Sequence, residues 1–357
     1  MEIKFVKNEN LRDREATLQT DLPFGRHFTD YMLIWDYTPE SGWHNARITP
    51  YAPLQLDPAS SCLHYGQLFF EGMKAYRHAD GKIALFRPME NMTRLNKSAW
   101  RMSMPEIDPE KALNSIIELL NVEKDWVPSS PESSLYIRPF MIATDPFIGL
   151  RPSANYQFIV ILSPVGPYYG NDGLAPVRIF VEEKFVRAVK GGTGYAKCAG
   201  NYAASMRSQV KAAEKGYNQV LWLDGIERKY VEEVGAMNVF FVIDGKVVTP
   251  ELGGTILPGI TRLSVLDILR DRGIPVEERP IAIDEIADAY KQGTLEEAFG
   301  SGTAAIVAPI GSLVWGKVQM RLSNGGVGKI TKDVYDELTG IQYGTRPDTK
   351  GWTKIIC

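Results

Sequence analysis

One lysine, Lys197, lies in a glycine-rich stretch that reads Gly191-Gly192-Thr193-Gly194-Tyr195-Ala196-Lys197-Cys198-Ala199-Gly200-Asn201-Tyr202. Backbone this rich in glycine lets a bulky group approach closely. A lysine amine whose pKa is lowered by desolvation or by a neighbouring cation becomes a nucleophile that forms Schiff bases with carbonyl groups. A lysine in a turn is otherwise most often solvated, so this stretch alone leaves both interpretations open.

Two nucleotide-binding interpretations fit the same stretch poorly. A P-loop has a glycine before its lysine and a serine or threonine after it, whereas Ala196 and Cys198 flank Lys197. A dinucleotide fingerprint needs a third glycine three residues after Gly194, and Lys197 stands there instead. Both patterns are therefore rejected.

Length and charge set broader limits. The chain has 357 residues, a length that predicts two domains of roughly 150 residues each. Its net charge is −3, and no long block of like charges occurs. This composition argues against nucleic-acid and membrane partners and favours a small-molecule partner.

The spacing of the cysteines and histidines indicates the redox state of the compartment and whether a metal site is expected. Cys62, Cys198 and Cys357 are widely spaced and lack a C-x-x-C pair, so we expect free thiols in a reducing compartment. The histidines lack the spacing of paired metal ligands, so no metal site is expected. The amino terminus does not resemble a signal peptide, and no apolar stretch is long enough to cross a bilayer. We therefore expect a cytoplasmic protein.

Turn-forming residues concentrate in the middle of the chain. Residues 164–176 mix proline, glycine and two tyrosines, which predicts a linker between a domain at 1–163 and a domain at 177–357. Residues 164–173 are the candidate loop for closing over a substrate. The mixed order of elements favours two α+β domains with much antiparallel pairing over a doubly wound parallel sheet. An active site would then lie in the interdomain cleft.

Local signals predict individual elements. Asp108 followed by Pro109 is a strong helix start, and Asp244-Gly245 between two apolar runs is a strong hairpin signal. The remaining patterns predict strands at 32–37, 82–86, 134–144, 157–163, 177–182, 219–223, 276–282 and 304–309, and helices after Pro88 and at 202–215, 260–270, 284–291 and 331–339.

Two small-residue segments could bind an anion such as the phosphate of a cofactor. Residues 253–262 lead into a helix, whose first N–H groups and dipole favour negative charge. The segment Gly300-Ser301-Gly302-Thr303-Ala304 is predicted to be a turn that offers further N–H groups. Taken singly, the first segment is better explained as a plain helix entry and the second as a tight turn.

Two adjacent acidic residues, Glu232 and Glu233, precede an apolar strand. A carboxylate beside a pyridine nitrogen keeps that ring protonated and able to accept electrons, which pyridoxal enzymes require. Solvated charge at the entrance of a strand is the alternative.

Taken together and in order, these segments resemble one family. The chain is similar to the class IV aminotransferases, which have the type IV pyridoxal phosphate fold, and most of all to the longer branched-chain amino acid aminotransferases of eukaryotes and many bacteria. That fold implies a smaller N-terminal α/β domain and a larger C-terminal cofactor-binding domain with mixed, antiparallel-rich sheets. The resemblance is carried by the lysine stretch and by residues 63–75, 85–88, 91–94, 134–139, 233–235, 257–259 and 299–304.

The resemblance implies a role for each residue at a matching position. Lys197 would hold pyridoxal 5′-phosphate as a Schiff base and act as general acid and base. Glu233 would pair with the pyridine nitrogen, and Tyr202 would donate to the phenolic oxygen. Arg94 would bind the phosphate, although without the resemblance a solvated helix face would explain it. The other implied phosphate ligands are the N–H groups of Ile260 and Thr261, and Thr303.

The resemblance also implies a substrate pocket. An aromatic wall would contact a branched side chain, and the turn at Thr303 and Ala304 would present N–H groups to the α-carboxylate. The wall would comprise Tyr65, Phe70, Tyr136 and Tyr202, with Tyr65, Tyr136 and Arg138 reaching in from a second subunit of a homodimer.

Two departures from the family pattern are visible. Ala236 stands where human-type members carry a threonine near the substrate carboxylate, so that hydroxyl contact is lost. The Cys-x-x-Cys of the mammalian enzymes is replaced by Ala305 to Ala308, which excludes a thiol switch at that place.

The implied reaction is a ping-pong transamination between L-leucine, L-isoleucine or L-valine and 2-oxoglutarate. Its products are branched-chain 2-oxo acids and L-glutamate. A D-amino acid aminotransferase or an aminodeoxychorismate lyase on the same fold is the alternative, and a non-catalytic binding protein is a third reading.

Overall fold

The computed structural model describes residues 2–168 and 174–357, which form two compact units. Among the described residues, the first unit comprises 2–168, 196–199 and 341–357, and the second comprises 174–195 and 200–340. The predicted domain at 177–357 differs from this division, because its segments 196–199 and 341–357 belong to the first unit. The first unit is consequently the larger one, which reverses the expected order of sizes.

Eighteen strands and eight α-helices make up the described part of the chain. The strands are β1 (Lys4–Phe5), β2 (Tyr31–Thr38), β3 (Gly42–Pro50), β4 (Leu68–Phe70), β5 (Met73–Arg77), β6 (Ile83–Phe86), β7 (Ser134–Ala143), β8 (Tyr156–Val165), β9 (Val177–Glu182), β10 (Gln219–Leu223), β11 (Val231–Val234), β12 (Asn238–Ile243), β13 (Lys246–Thr249), β14 (Val276–Glu278), β15 (Leu295–Gly302), β16 (Ile306–Trp315), β17 (Val318–Arg321) and β18 (Thr353–Ile355). The helices are α1 (Arg14–Leu18), α2 (Ser61–Tyr65), α3 (Pro88–Arg101), α4 (Pro109–Val122), α5 (Ala199–Glu214), α6 (Ile260–Asp271), α7 (Ile283–Gln292) and α8 (Lys329–Gln342).

The first unit is built on one sheet in the order β1-β3-β2-β8-β7-β5-β6-β18, with β4 beside β7. Its pairs are antiparallel except for β1 with β3. Helices α3 and α4 pack on this sheet and contribute Met92, Leu95, Leu113, Ile116 and Leu120 to its core. The position of Lys197 in this unit follows from that sheet, because its segment lies against β4.

The second unit is built on a mixed sheet in the order β11-β10-β9-β16-β15-β12-β13-β14, with β17 beside β16. Three of its pairs are parallel, namely β9 with β10, β9 with β16, and β13 with β14. The predicted α+β class with substantial antiparallel pairing is therefore confirmed. Among the described helices, none is both long enough and apolar enough to cross a membrane.

The predicted start of α4 is confirmed in atomic detail. One carboxylate oxygen of Asp108 accepts the N–H groups of Glu110 and Lys111, both at 3.0 Å. These are two of the donors that a helix start leaves without intrahelical partners. Pro109 occupies the first turn, where its missing N–H has no cost.

Replacing Asp108 by alanine should therefore destabilise the protein through loss of the cap. The shift in the urea midpoint measures this. Asp108→Asn keeps an oxygen acceptor and serves as the matched control, since it should behave nearly as the wild type. Equal losses in both variants would contradict capping as the cause.

The hairpin prediction is also confirmed. Strands β12 and β13 pair around Asp244 and Gly245, whose φ angles are 51° and 71°. Positive φ at both central residues matches the right-handed twist of the strands and explains the preference for Asp-Gly.

Other predicted bounds differ from the structure. The strand predicted at 276–282 ends at Glu278, and Pro280 beyond it has no N–H to donate to a ladder. The strand predicted at 304–309 begins later, at Ile306, and extends to Trp315. The predicted linker overlaps β8, which continues to Val165, and residues 169–173 of the linker and candidate loop lie outside the described residues.

Residues 300–302 are the clearest correction. They were predicted to form a turn, but they are the end of β15, where Ser301 pairs with Asn238 on one side and Val307 on the other. A Cβ at Gly300 would lie 2.8 Å from the Met237 side chain. The small residues there therefore reflect close packing, not turn geometry.

Candidate active site

Lys197 is held within the first unit by two neighbouring elements. Its N–H donates to Oγ of Ser98 on α3 at 2.9 Å, and its carbonyl accepts the N–H of Phe70 at 3.0 Å. Cys198 forms an antiparallel bridge with Phe69 of β4. The Nζ atom lies 4.9 Å from the centroid of the Phe70 ring, and the residue is half-buried. The lysine therefore lies on a fixed backbone, with its side chain half-buried beside Phe70.

A buried ion pair lies in the same unit. Glu71 is completely buried, and its carboxylate accepts two hydrogen bonds from Arg94, Nε at 2.7 Å and Nη2 at 2.9 Å. Asn91 donates to the same carboxylate at 2.8 Å. A bidentate pair of this kind fixes the plane of the guanidinium.

Charge governs the protonation of Glu71. Burial by itself raises the pKa of this carboxyl, but the charge and hydrogen bonds of Arg94 outweigh burial, with smaller help from Lys197 and Asn91. The net result is a pKa below the ordinary value, so Glu71 is ionised at neutral pH. The carboxylate is thus linked electrostatically to two residues for which the sequence predicts cofactor contacts.

Arg94 is not on a solvated face of its helix. Its side chain is 7% exposed and points into the unit toward Glu71. The phosphate-binding role expected for Arg94 therefore concerns a guanidinium that already has one carboxylate partner. Glu71 was not predicted to be a site residue, because nothing in the Phe70-Glu71-Gly72 motif indicates that its carboxyl group is buried.

Arg138 links two of the predicted substrate-wall residues, Phe70 and Tyr136. The guanidinium of Arg138 lies 4.6 Å from the Phe70 ring centroid and 5.2 Å from that of Tyr136, and it donates to the Tyr136 hydroxyl at 3.1 Å. Phe24 packs edge-on against Tyr136 with centroids 4.8 Å apart. A Cβ at Gly72 would lie 2.0 Å from the Tyr136 hydroxyl. Gly72 is therefore required for this tyrosine to lie where it does.

Tyr65 has a different environment. It ends helix α2, is 43% exposed, and donates its hydroxyl hydrogen to the carbonyl of Ile148. Several apolar side chains near it in sequence or contact are also exposed: Leu63 (59%), Phe147 (42%), Ile148 (67%) and Leu150 (86%). We call Leu63, Tyr65 and residues 147–150 the exposed apolar patch.

Lys74 is a buried lysine for which no role was predicted from sequence. It lies on β5 directly opposite Tyr136 of β7 and is 6% exposed. Burial lowers the pKa of Lys74 to about 7. A second basic residue besides Arg138 therefore lies next to Tyr136 on the sheet.

The second unit contains the predicted acidic partner. Glu233 is 3% exposed and lies within β11, as does Glu232 at 5%, so the interpretation as solvated charge is wrong. Oε1 of Glu233 accepts the N–H of Leu257 at 2.8 Å, and Oε2 lies 3.1 Å from Nε of Arg187. Arg187 was also missed, since it stands ten residues before the lysine with no motif of its own.

The helix entry at 253–262 has the predicted form. Helix α6 begins at Ile260 after Gly259, and no side chain caps it. Ile260 and Thr261 are both 7% exposed. Their N–H groups belong to the first turn, which has no intrahelical acceptors and carries the positive end of the helix dipole. This geometry suits an anion.

Thr303 and Ala304 lie in the turn that joins β15 to β16, and both are half-buried. Ile306, just after them, has φ 60°. A β-branched residue is rarely found in the left-handed region, and strain of this kind concentrates at binding sites.

The remaining two predicted residues also lie in the second unit. Tyr202 is in the first turns of α5, five residues after Lys197, and is half-buried. Ala236 is exposed in the turn between β11 and β12. Each unit therefore contributes its own group of predicted residues: Lys197, Arg94, Phe70, Tyr136, Arg138 and Tyr65 in the first, and Glu233, Tyr202, Ala236, Ile260, Thr261, Thr303 and Ala304 in the second.

Comparison with known proteins identifies the family of the chain. The family model of class IV amino-transferases matches residues 68–313. Branched-chain-amino-acid aminotransferase 2 of Bacillus subtilis is 55% identical over 335 residues, which cover 94% of this chain and 92% of that protein. The branched-chain-amino-acid aminotransferase of Mycolicibacterium smegmatis is 49% identical over 334 residues, or 92% of this chain and 90% of that protein.

Solved structures give the same result. The branched-chain amino acid aminotransferase of Escherichia coli superposes with a TM-score of 0.74 at 26% identity, covering 92% of this chain and 99% of that one. The branched-chain aminotransferase of the thermophilic archaeon Thermoproteus uzoniensis, solved with norvaline, also gives a TM-score of 0.74 at 26% identity, with 92% and 100% covered.

Proposed function

We propose the reaction of this protein from one premise: the chain belongs to the class IV aminotransferases, and within them to the branched-chain amino acid aminotransferases. It transfers the amino group of L-leucine, L-isoleucine or L-valine to 2-oxoglutarate in two half-reactions. The high identity to curated enzymes over nearly the full length is the observation that carries this proposal.

The residues present fit pyridoxal 5′-phosphate as cofactor. An aldehyde needs an amine, and Lys197 supplies one on a fixed backbone. A phosphate needs cations or N–H groups, which Arg94 and the first turn of α6 offer. A pyridine nitrogen needs a carboxylate, and Glu233 is buried and held at both oxygens. Bound pyridoxal phosphate supplies the aldehyde that takes up the amino group and a ring that draws electrons from the substrate.

Each residue then has a defined task. Nζ of Lys197 takes up and returns the proton of the substrate Cα. Glu233 accepts the hydrogen of the ring nitrogen, and Tyr202 donates to the phenolic oxygen. The phosphate is bound by Arg94, the N–H groups of Ile260 and Thr261, and Thr303.

The substrate is bound by a partly apolar, partly polar wall. Phe70 and Tyr136 contact the branched side chain, and Arg138 with Tyr65 and Tyr136 forms a polar edge that accepts the γ-carboxylate of 2-oxoglutarate. Arg138 contacts both Phe70 and Tyr136 within one chain. This supports placing Tyr136 and Arg138 in the same site as Phe70, and not in the partner's site as the resemblance implied. Ala236, Thr303 and Ala304 surround the α-carboxylate with backbone groups.

An amino-donor panel tests the reaction. The purified enzyme with added pyridoxal phosphate and 2-oxoglutarate should convert L-leucine, L-isoleucine and L-valine while forming L-glutamate. Activity on D-alanine without activity on L-leucine would replace this proposal with a D-amino acid aminotransferase. Release of a lyase product without an amino acceptor would replace it with a lyase.

The active form is a homodimer that uses the exposed apolar patch. Monomeric proteins rarely expose a contiguous group of large apolar side chains, and Ile148 and Leu150 are exposed by 67% and 86%. Tyr65, which belongs to this patch, would then serve the partner's site.

Replacing Leu150 by aspartate should raise the dimer dissociation constant by at least about 100-fold, which corresponds to roughly 2.8 kcal/mol. Light scattering across a dilution series measures this. Ile226→Asp alters a side chain that is 78% exposed in the other unit and is the matched control. A Leu150→Asp enzyme with wild-type mass at every concentration would reject the assigned interface.

The free state of Cys62, Cys198 and Cys357 supports a reducing, cytoplasmic setting.

A further inference from the structure

Arg187 is a buried arginine that the roles assigned above leave unused. It is 8% exposed, and it lies on no strand or helix of the second unit. A guanidinium taken out of water must recover its lost hydration through specific partners. Its partners therefore indicate why it is there.

One end of the guanidinium is anchored to backbone. Nη2 donates to the carbonyl of Gly194 at 3.0 Å and to the carbonyl of Thr255 at 2.5 Å. Gly194 belongs to the lysine stretch, and Thr255 to the segment that leads into α6. A Cβ at Gly194 would lie 2.2 Å from the same Thr255 carbonyl. The Arg187 side chain thus joins the lysine stretch to the segment that leads into α6, and both segments have predicted cofactor contacts.

The other end faces Glu233. Nε of Arg187 lies 3.1 Å from Oε2 of Glu233, yet Nε is a buried atom without an aligned hydrogen-bond acceptor among the described residues. The contact is therefore an ion pair. Since Oε1 is held by the N–H of Leu257, the carboxylate has a fixed position at both oxygens.

The same cation acts on the neighbouring acid. Burial raises the pKa of Glu232, a hydrogen bond from Thr255 and the charge of Arg187 work against that rise, and the pKa stays above its ordinary value. Two adjacent buried carboxyls thus share one arginine. Of the two, Glu233 is the one in direct contact with it.

We propose that Arg187 is the positioning residue of Glu233, holding its carboxylate ionised and oriented toward the place of the cofactor's ring nitrogen. The inference rests on the proposed function. Arg187 touches neither substrate nor cofactor, and it acts through Glu233. Without the cation, Glu233 is a buried carboxylate that lacks its counter-charge, and such a group takes up a proton or moves.

A double-mutant cycle tests this. Arg187→Met is compared with Glu233→Gln and with the double variant, and two quantities are measured: the dissociation constant of pyridoxal phosphate and the single-turnover rate with L-leucine. We expect Arg187→Met to reduce that rate by about 10²-fold, the effect of a misplaced catalytic contact, and to weaken cofactor binding. In the Glu233→Gln background, the same substitution should change both quantities by only about 2-fold, the level of independent sites.

Equal fold-changes in the two backgrounds would overturn the proposal, because Arg187 would then act through the backbone of Gly194 and Thr255 alone. Arg187→Lys repeats the cycle if the methionine variant does not fold. This substitution keeps the positive charge, but the new side chain cannot bind both carbonyls and Glu233. The single-turnover rate should therefore fall about tenfold, the value of one charged hydrogen bond. Again the loss must disappear in the Glu233→Gln background.

Two controls separate this inference from the proposed function. Arg279→Met removes an arginine paired with Glu285 and Glu277 elsewhere in the second unit, and cofactor binding should be unchanged. If the wild type itself fails to bind pyridoxal phosphate through Lys197, the proposed function fails. If it binds normally and the cycle is additive, only the role of Arg187 is rejected.

Discussion

Replacing Lys197 by alanine should abolish transamination, with a loss of at least about 10⁴-fold, the upper range for one general acid–base group. The visible absorbance of the reconstituted protein should disappear with it. The reason is that no other described amine occupies this position: the segment is fixed by Ser98 and Phe70, and Nζ lies over the Phe70 ring. Single-turnover kinetics with L-leucine and the absorption spectrum are the two measurements.

Lys190→Ala is the matched control, because Lys190 is an exposed lysine just before the same glycine-rich stretch. It should keep both activity and spectrum. Borohydride reduction of the wild type followed by peptide mapping should locate the cofactor on Lys197. Attachment at any other lysine, or retention of the spectrum in Lys197→Ala, would disprove the assignment.

The sequence predicted the parts of the fold that depend on local signals. The cap at Asp108 and the turn at Asp244-Gly245 were placed correctly, since each is determined by neighbouring residues. Strand β3 was missed because it mixes polar and apolar side chains and only two of its nine residues, Ala46 and Ile48, are buried. The end of β15 was misread because close packing on Met237 selects the same small residues that a turn selects.

The residues of the candidate site also differ in whether a local sequence signal points to them. Lys197 and Glu233 were proposed from sequence because each lies in a recognisable motif. Glu71 and Arg187 were not, because their importance comes from partners distant in sequence: Arg94 lies 23 residues from Glu71, and Glu233 lies far along the chain from Arg187. Burial of a charge is visible only when the packed structure is known.

Replacing Glu71 by alanine should destabilise the protein by about 3–5 kcal/mol, since it leaves the guanidinium of Arg94 buried without its carboxylate. Arg94 is 7% exposed and Glu71 is fully buried, so water cannot easily replace the lost partner. Urea unfolding of the cofactor-free protein measures the change. The control is Glu90→Ala. It removes an acid of α3 that pairs with Arg87, and because the Glu90 side chain is 39% exposed, the loss of stability should be far smaller.

Two further measurements establish whether the unpaired charge is the cause. The double variant Glu71→Leu with Arg94→Met removes both charges. It should be more stable than Glu71→Ala, because no charge then has to be taken out of water during folding. The contribution of ionised Glu71 should also depend on pH. Since its folded pKa lies below the ordinary value of 4.5, the contribution is complete above that pH and is lost as pH falls through the lower folded pKa. The gap in stability between wild type and Glu71→Gln should therefore be constant near neutrality and close in acid; a gap that widens in acid would show that Glu71 is protonated in the native protein.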